Sequence, residues 1–232
     1  MRNNSILAIV PSSGEGKRAN FKKFSTIPKQ YILINGRSII FFSIIQLVKS
    51  IKIKKILITV KIDDKYIKYL SIVSKKIRIL NVGKNTRSLT IIETLKYNNT
   101  KNFSWLLIQD SVRPALSIKN LNKLISKCNL KNKFLTLAYP ISDTVKKISE
   151  HTISTICRKK LWLIQTPQIM KIGIIKKLIK SSLKLNVKFT DESSLFEYFG
   201  IKPVIIRSNI NNFKVTWPEE FNIIKNCLKC IQ

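Results

Sequence analysis

Residues 5–18 read "SILAIVPSSGEGKR": five apolar side chains in a row, a proline, two serines, then two glycines interleaved with charge. A short unbroken apolar run bounded by turn residues is a strand buried on both faces, the form strands take in a parallel sheet covered by helices. The turn behind such a strand gathers backbone N–H groups into one concavity, where phosphate oxygens can accept them. Glycines allow close approach there because no Cβ intervenes.

Working outward, the same rhythm repeats. Strands are predicted at 5–10, 55–60, 77–82, 105–110, 134–140 and 204–207, and helical spacing at 38–50, 86–98, 118–129, 171–184 and 191–199. The alternation predicts an α/β fold: a Rossmann-like, mostly parallel sheet with helices on both faces. Thr190 is the expected N-cap of the 191–199 helix, with Asp191 and Glu192 in its first turn and Gly200 after its end. Pro218, Glu219 and Glu220 open a terminal helix in the same manner. One segment departs from the pattern. Residues 141–158, "ISDTVKKISEHTISTICR", alternate like two half-exposed strands joined at "SEH", which predicts a protruding β-hairpin arm. With no internal repeat or low-complexity linker, residues 1–232 read as a single domain carrying that arm.

The chain has 232 residues with 44% hydrophobic content, enough for a full core. No stretch approaches the roughly 20 apolar residues of a membrane span, and the N-terminal apolar run is too short for a secretory signal, so a cytoplasmic protein is expected. The formal charge of +31 comes from 43 Lys and Arg against 12 Asp and Glu. That balance raises nucleic-acid binding, but the lysines are spread through the whole chain, and Lys, Ile and Asn are abundant together, as an A/T-rich genome produces. The charge draws anionic substrates and permits salt-sensitive RNA contacts without specifying a nucleic acid. Cys227 and Cys230 form a C-x-x-C with no second pair and no nearby histidine, which reads as two helix-surface thiols. His151, the one histidine, lies at the arm's tip, so Ser-His-Asp and Cys-His chemistry has no credible base.

Three nucleotide-loop readings compete for residues 11–31. A Walker A loop requires G-x-x-x-x-G-K-[ST], a spacing this chain lacks. Gly14, Gly16 and Ala19 mimic a dinucleotide fingerprint, but no acidic residue occurs between Glu15 and Asp63 to hold a ribose. A nucleotidyltransferase loop uses what the others leave idle: Lys17, Arg18, Lys22, Lys23 and Lys29 follow the glycines as a triphosphate requires. A solvated basic loop stands beside it as the plain alternative. "IQDSVRP" (108–114) puts Asp110 and Arg113 at a strand's carboxyl end, where open α/β sheets bind ligands. Asp110 is there either a helix cap or a Mg²⁺ anchor. Lys214 reads as part of a short strand before the terminal helix, and by itself as a solvated lysine.

Taken in order and spacing, "PSSGEGKR", "PKQY", "GKNTRSLT", "QDSVRP", "ISDTVKK", "LWLIQTPQ", "TDESSLFEYFG" and "NFKVTWPEE" resemble one family, the 2-C-methyl-D-erythritol 4-phosphate cytidylyltransferases of the non-mevalonate isoprenoid route. The likeness runs from about residue 5 to the end. It implies a homodimer whose arms cross between subunits, and a reaction in which methylerythritol phosphate attacks the α-phosphorus of CTP with Mg²⁺ present, releasing pyrophosphate.

By motif, the resemblance implies that Arg18 and Lys29 stabilise the transition state. Arg158, from the partner's arm, and Lys214 would clamp the methylerythritol phosphate, with Thr144, Thr166 and Thr190 lining its pocket. Ser12, Ser13, Gly14 and Gly16 would surround the nucleotide; Lys84, Asn85 and Thr90 would lie around cytosine and ribose; Asp110 would hold Mg²⁺ with Arg113 nearby. Several positions depart from the family's pattern. Serines stand at 12 and 13 where alanines are usual, Lys84 replaces the second of two glycines, Gln109 a histidine and Trp217 an arginine, and the stretch between Arg18 and Lys29 is longer. The change at Lys84 keeps open a nucleotidyltransferase acting on another polyol or sugar phosphate. The net charge keeps open a basic nucleic-acid-binding module, although no RNA-binding signature is present.

Overall fold

The apolar run that opens the chain becomes β1 (Ile6–Pro11), buried along nearly its whole length as its composition demands. A computed structural model describes residues 5–14, 27–97, 99–186, 189 and 191–229. β1 pairs in parallel with β4 (Ile53–Thr59) on one side and β6 (Trp105–Ile108) on the other. β5 (Ile77–Leu80) extends the sheet beyond β4, while at the other end β7 (Phe134–Pro140) pairs in parallel with β11 (Val204–Arg207), which forms the opposite edge. Between β6 and β7 runs β10 (Trp162–Lys171), antiparallel to both, giving the order β11-β7-β10-β6-β1-β4-β5.

All six predicted strands are present; β10 was not among them. Its ten residues are interrupted by "QTPQ", and a proline within a run argues against a central strand because it cannot donate to the ladder. The interior tolerates it through a bulge: Gln165 pairs with Leu137 and Gln168 with Thr136, leaving Thr166 and Pro167 outside the register. Asn212 Nδ2 donates to Thr166 O at 2.9 Å, satisfying a carbonyl that the bulge removes from the ladder. A second unpredicted feature is the small hairpin of β2 (Leu33–Ile34) and β3 (Arg37–Ser38). Its turn residues Asn35 and Gly36 both take positive φ, the pairing a two-residue hairpin loop demands.

Strand periodicity of two divides the core. Ile6, Ala8, Val10, Ile56, Ile58 and Leu107 share a cluster with residues of α1 (Ile39–Lys49) and α3 (Ile118–Ser126). Leu7, Ile9, Leu57, Leu106 and Ile108 join α2 (Arg87–Tyr97), α4 (Ile172–Lys184) and α5 (Glu192–Tyr198) in another. The other side of α1 packs against α6 (Glu220–Lys229), with Phe42, Ile224 and Leu228 in one cluster. Helices therefore cover both faces, as expected.

Two local expectations need correction. The α5 N-cap is Asp191, not Thr190: Asp191 Oδ1 accepts from Ser194 N–H at 3.0 Å and Ser194 Oγ accepts from Asp191 N–H, a reciprocal box. Thr190 itself lies outside the described residues. Lys214 is not in a strand; residues 213–216 are irregular backbone, held to the body by Val215 N–H donating to Val112 O. Glu220 opens α6 by accepting from the backbone N–H groups of Thr216 and Trp217.

The arm is present as β8 (Val145–Ile148) antiparallel to β9 (Ile153–Ile156). It leaves the sheet at the carboxyl end of β7 and returns into β10. β9 is exposed throughout, and Ile148 and Ile153 are 73% and 69% exposed, so the hairpin buries little against its own chain.

Candidate active site

The carboxyl ends of β1 and β6 are adjacent, yet the chain leaves β1 for β4 on one side and enters β6 on the other. This is the switch point at which open α/β sheets form a crevice. A cavity of about 1110 Å³ lies there, lined by the turn after β1, the 85–89 segment at the start of α2, the 110–113 turn after β6, the Ile164–Thr166 stretch of β10, Lys29 and Lys214. Small-molecule pockets run to roughly 300–1,000 Å³, so this cavity is as large as the roomiest of them.

On the glycine-turn side, Ser12 is buried and its N–H donates to Thr59 O, which extends the β1–β4 ladder and removes that donor from any ligand. Ser13 and Gly14 line the cavity. Gln30 is buried beneath them and donates through Nε2 to Ser12 O at 2.8 Å and Gly14 O at 3.4 Å, fixing those carbonyls inward. The "PKQY" block thus braces the turn, and Tyr31 anchors the block by donating to Asp64 Oδ2 at 2.7 Å. Asn85 lines the cavity, whereas Lys84 is exposed and outside its lining. Thr90 is fully buried: its Oγ1 accepts from Lys84 N–H at 2.9 Å and donates to Thr86 O at 2.9 Å. It holds the loop without facing the cavity. At Gly83 an added Cβ would stand 2.6 Å from Ser13 Cβ and 2.7 Å from Val60 O, so only glycine fits between the two loops.

Opposite lies a cluster of charge. Asp110 Oδ1 accepts from Arg87 Nε at 3.3 Å; Oδ2 accepts from Arg113 Nε at 3.1 Å and faces Lys214 Nζ at 3.3 Å. Burial alone would raise this carboxyl's pKa, but Lys214, Arg87 and Arg113 outweigh it and hold Asp110 ionised, far below the usual carboxylate range. Asp110 N–H donates to Thr166 Oγ1 at 2.9 Å, placing the bulge of β10 against the end of β6. Arg113 also donates to Asn212 O at 2.9 Å, and Lys29 Nζ to Val215 O at 2.9 Å, so the 212–216 segment ties the two walls together. Arg87 reaches further, donating through Nη1 to Glu192 Oε2 at 2.6 Å. Burial raises the Glu192 carboxyl against the pull of Arg87.

Of the residues singled out from sequence, the fold brings together Ser13, Gly14, Lys29, Asn85, Asp110, Arg113, Thr166 and Lys214. Ser12 and Thr90 support the wall from behind. Thr144 and Arg158 are exposed, on the arm and on the single turn after it, and neither lines this cavity. Gly16, Arg18 and Thr190 lie outside the described residues, as do Lys17, Lys22, Lys23 and Cys230. Sequence reasoning passed over Arg87, Gln30, Gly83, Glu192 and Asn212. Arg87 did carry a signal: a cation in the first turn of a helix opposes the helix dipole and needs an acidic partner.

A family model described as 2-C-methyl-D-erythritol 4-phosphate cytidylyltransferase matches residues 6–229. The chain is similar to the 2-C-methyl-D-erythritol 4-phosphate cytidylyltransferase of Buchnera aphidicola, 35% identical over 97% of this chain and 93% of that protein. It is likewise similar to that of Wigglesworthia glossinidia brevipalpis, 38% identical over 94% and 93%. Among solved structures, 4-diphosphocytidyl-2C-methyl-D-erythritol synthase from Anaerococcus prevotii superposes with a TM-score of 0.82 at 27% identity, covering 98% of this chain and 99% of that one.

Proposed function

Since the chain belongs to the 2-C-methyl-D-erythritol 4-phosphate cytidylyltransferase family, we propose that it transfers the cytidylyl group of CTP to 2-C-methyl-D-erythritol 4-phosphate in isoprenoid precursor synthesis. The observation that carries the reading at the site is the cationic crevice: Lys29, Arg87, Arg113 and Lys214 converge on one cavity.

A phosphate oxygen of the acceptor attacks the α-phosphorus of CTP in line, the bond to the β-phosphate breaks, and pyrophosphate departs with that electron pair. No side chain need supply a nucleophile. The protein's work is to position two anions and stabilise charge as it moves across the phosphorus. Lys29, held on the wall through Val215, presents a fixed cation beside the glycine turn; by the family resemblance Arg18, which lies outside the described residues, would act with it. Lys214 stands next to Asp110 at the acceptor's end, where Thr166 adds a hydroxyl. Because these groups are already oriented, little reorganisation is needed as the reaction proceeds.

Asp110 suits Mg²⁺. A carboxylate offers about four lone-pair sites, and the donors from Arg87, Arg113 and Lys214 leave one for a cation. Among the described residues no cluster of three or more His, Cys, Asp or Glu side chains could hold a metal. Asp110 would be the carboxylate ligand of an ion whose shell phosphate oxygens and water complete, and which would shield the triphosphate.

The exposed arm supports a homodimer in which Arg158 of the partner subunit completes the acceptor end, with Thr144 lining the same pocket. Among the described residues no helix is long and apolar enough to cross a membrane. Pyrophosphate release from purified protein, measured with each nucleoside triphosphate and methylerythritol phosphate, tests the reading. CTP-dependent turnover is expected; turnover with UTP or GTP but not CTP overturns the substrate assignment.

A further inference from the structure

Lys214 sits on irregular backbone, so contacts outside the strand ladder must fix where its ammonium stands. Asn212, two residues earlier, is fully buried and lies outside the cavity lining. Its Nδ2 donates to Gln165 Oε1 at 3.1 Å and to Thr166 O at 2.9 Å, both at the bulge of β10. Its own carbonyl accepts from Arg113 Nη1 at 2.9 Å, and Gln165 Nε2 returns a bond to Asn209 O at 3.1 Å. One side chain thus joins the segment bearing Lys214 to the strand bearing Thr166, and its main chain meets the Arg113 that pairs with Asp110. Both amide hydrogens go to oxygens that only accept, which fixes the amide's orientation. Its Oδ1 is left buried with no hydrogen-bond partner among the described residues. An unpaired buried acceptor is destabilising and calls for a reason; the joint that this orientation makes is one.

From this geometry we infer that Asn212 is a positioning residue for the acceptor phosphate: it holds the Lys214 segment against the β10 bulge and so sets acceptor affinity without touching either substrate. The inference rests on the cytidylyltransferase reading for the identity of the acceptor. The nucleotide side is held separately. Val215 is fully buried, its N–H donates to Val112 O, and its carbonyl is the one that takes Lys29 Nζ. Gln30 braces the turn after β1 without using Asn212. Loss of the Asn212 amide therefore frees Lys214 and Thr166 relative to one another, while Lys29 and the glycine turn keep their anchors.

Steady-state kinetics on two variants supply the test. Asn212→Leu keeps the shape and removes both amide hydrogens; Asn212→Ser keeps a single donor. Asn212→Leu is expected to raise KM for methylerythritol phosphate about tenfold, the effect of losing buried hydrogen bonds that register a loop. KM for CTP and kcat should stay within about threefold, because the groups that govern them keep their anchors. Asn212→Ser should fall between wild type and Asn212→Leu. In a Lys214→Ala background Asn212→Leu should add no more than about threefold, since its effect runs through that lysine. Equal loss for both substrates, an unchanged acceptor KM, or the full tenfold in the Lys214→Ala background would each overturn the inference. Thermal-denaturation midpoints accompany every variant. Should Asn212→Leu lose its cooperative transition, Asn212→Ser carries the same comparison; if both lose it, Asn212 serves the core alone and the inference fails. A wild type with no turnover of CTP and methylerythritol phosphate removes the functional assignment and the inference together. A wild type that turns both over, while Asn212→Leu keeps its acceptor KM, removes the inference alone.

Discussion

A single lysine shows how this site divides its labour. Lys29 donates to Val215 O, so its ammonium is placed before any ligand arrives, and preorganised charge stabilises a transition state more than it stabilises a bound substrate. Lys29→Ala should lower kcat by about a hundredfold or more with little change in the thermal midpoint; steady-state kinetics showing wild-type turnover would remove Lys29 from the mechanism. Tyr31 plays the opposite part, holding the block in place. Burial first, then its hydrogen bond to Asp64 and the charge of that carboxylate, push its phenol far above the ordinary range. A raised native pKa stabilises the fold below the unfolded value of about 10 and is lost as pH rises beyond it. Tyr31→Phe should therefore cost about 1 kcal/mol near neutrality. It should also flatten the alkaline fall in stability by up to about 1.4 kcal/mol per pH unit. Urea denaturation at a series of pH values reads both. These residues differ in legibility. Lys29 stood out because a cation after glycines suits a triphosphate; Gln30, beside it, showed nothing, because its role is a hydrogen bond to carbonyls that only the folded turn brings near.

Among the elements, β1, β4, β6 and β7 were plain in the sequence, since continuous apolar runs reflect burial on both faces and every strand there is central. β10 was not, because its polar centre serves the site: Thr166 takes Asp110 N–H and Gln168 Nε2 donates to Asp191 Oδ2 at 3.2 Å. The arm was legible through its alternation, and it buries little against its own chain. A lone two-stranded hairpin is marginal in water and needs a surface to cover it. If arms cross, an Arg158→Ala chain mixed with a Lys214→Ala chain forms a hybrid dimer with one intact site. Turnover should return to about half that of the wild-type dimer, as a two-fold assembly requires. Purified heterodimers that stay as inactive as either parent would place Arg158 outside the partner's site.

Over the whole molecule, the charge of +31 acts as a field and not as a code. RNA retention is expected to fall steeply between low and moderate salt without preference among sequences, which filter binding across a salt series would check; affinity that persists and discriminates would contradict this. The strand rhythm and the layered α/β class came from local sequence, because periodic burial leaves a signature within a dozen positions; most candidate site residues came from the family resemblance. What only the tertiary structure decided was convergence. That Arg87 and Lys214, far apart in the chain, meet on Asp110, and that the Lys84 carbonyl is held by Ser13, depends on strand order and on one antiparallel insertion. Long-range contacts are set by how layers stack, and a residue's neighbours in sequence carry no record of that.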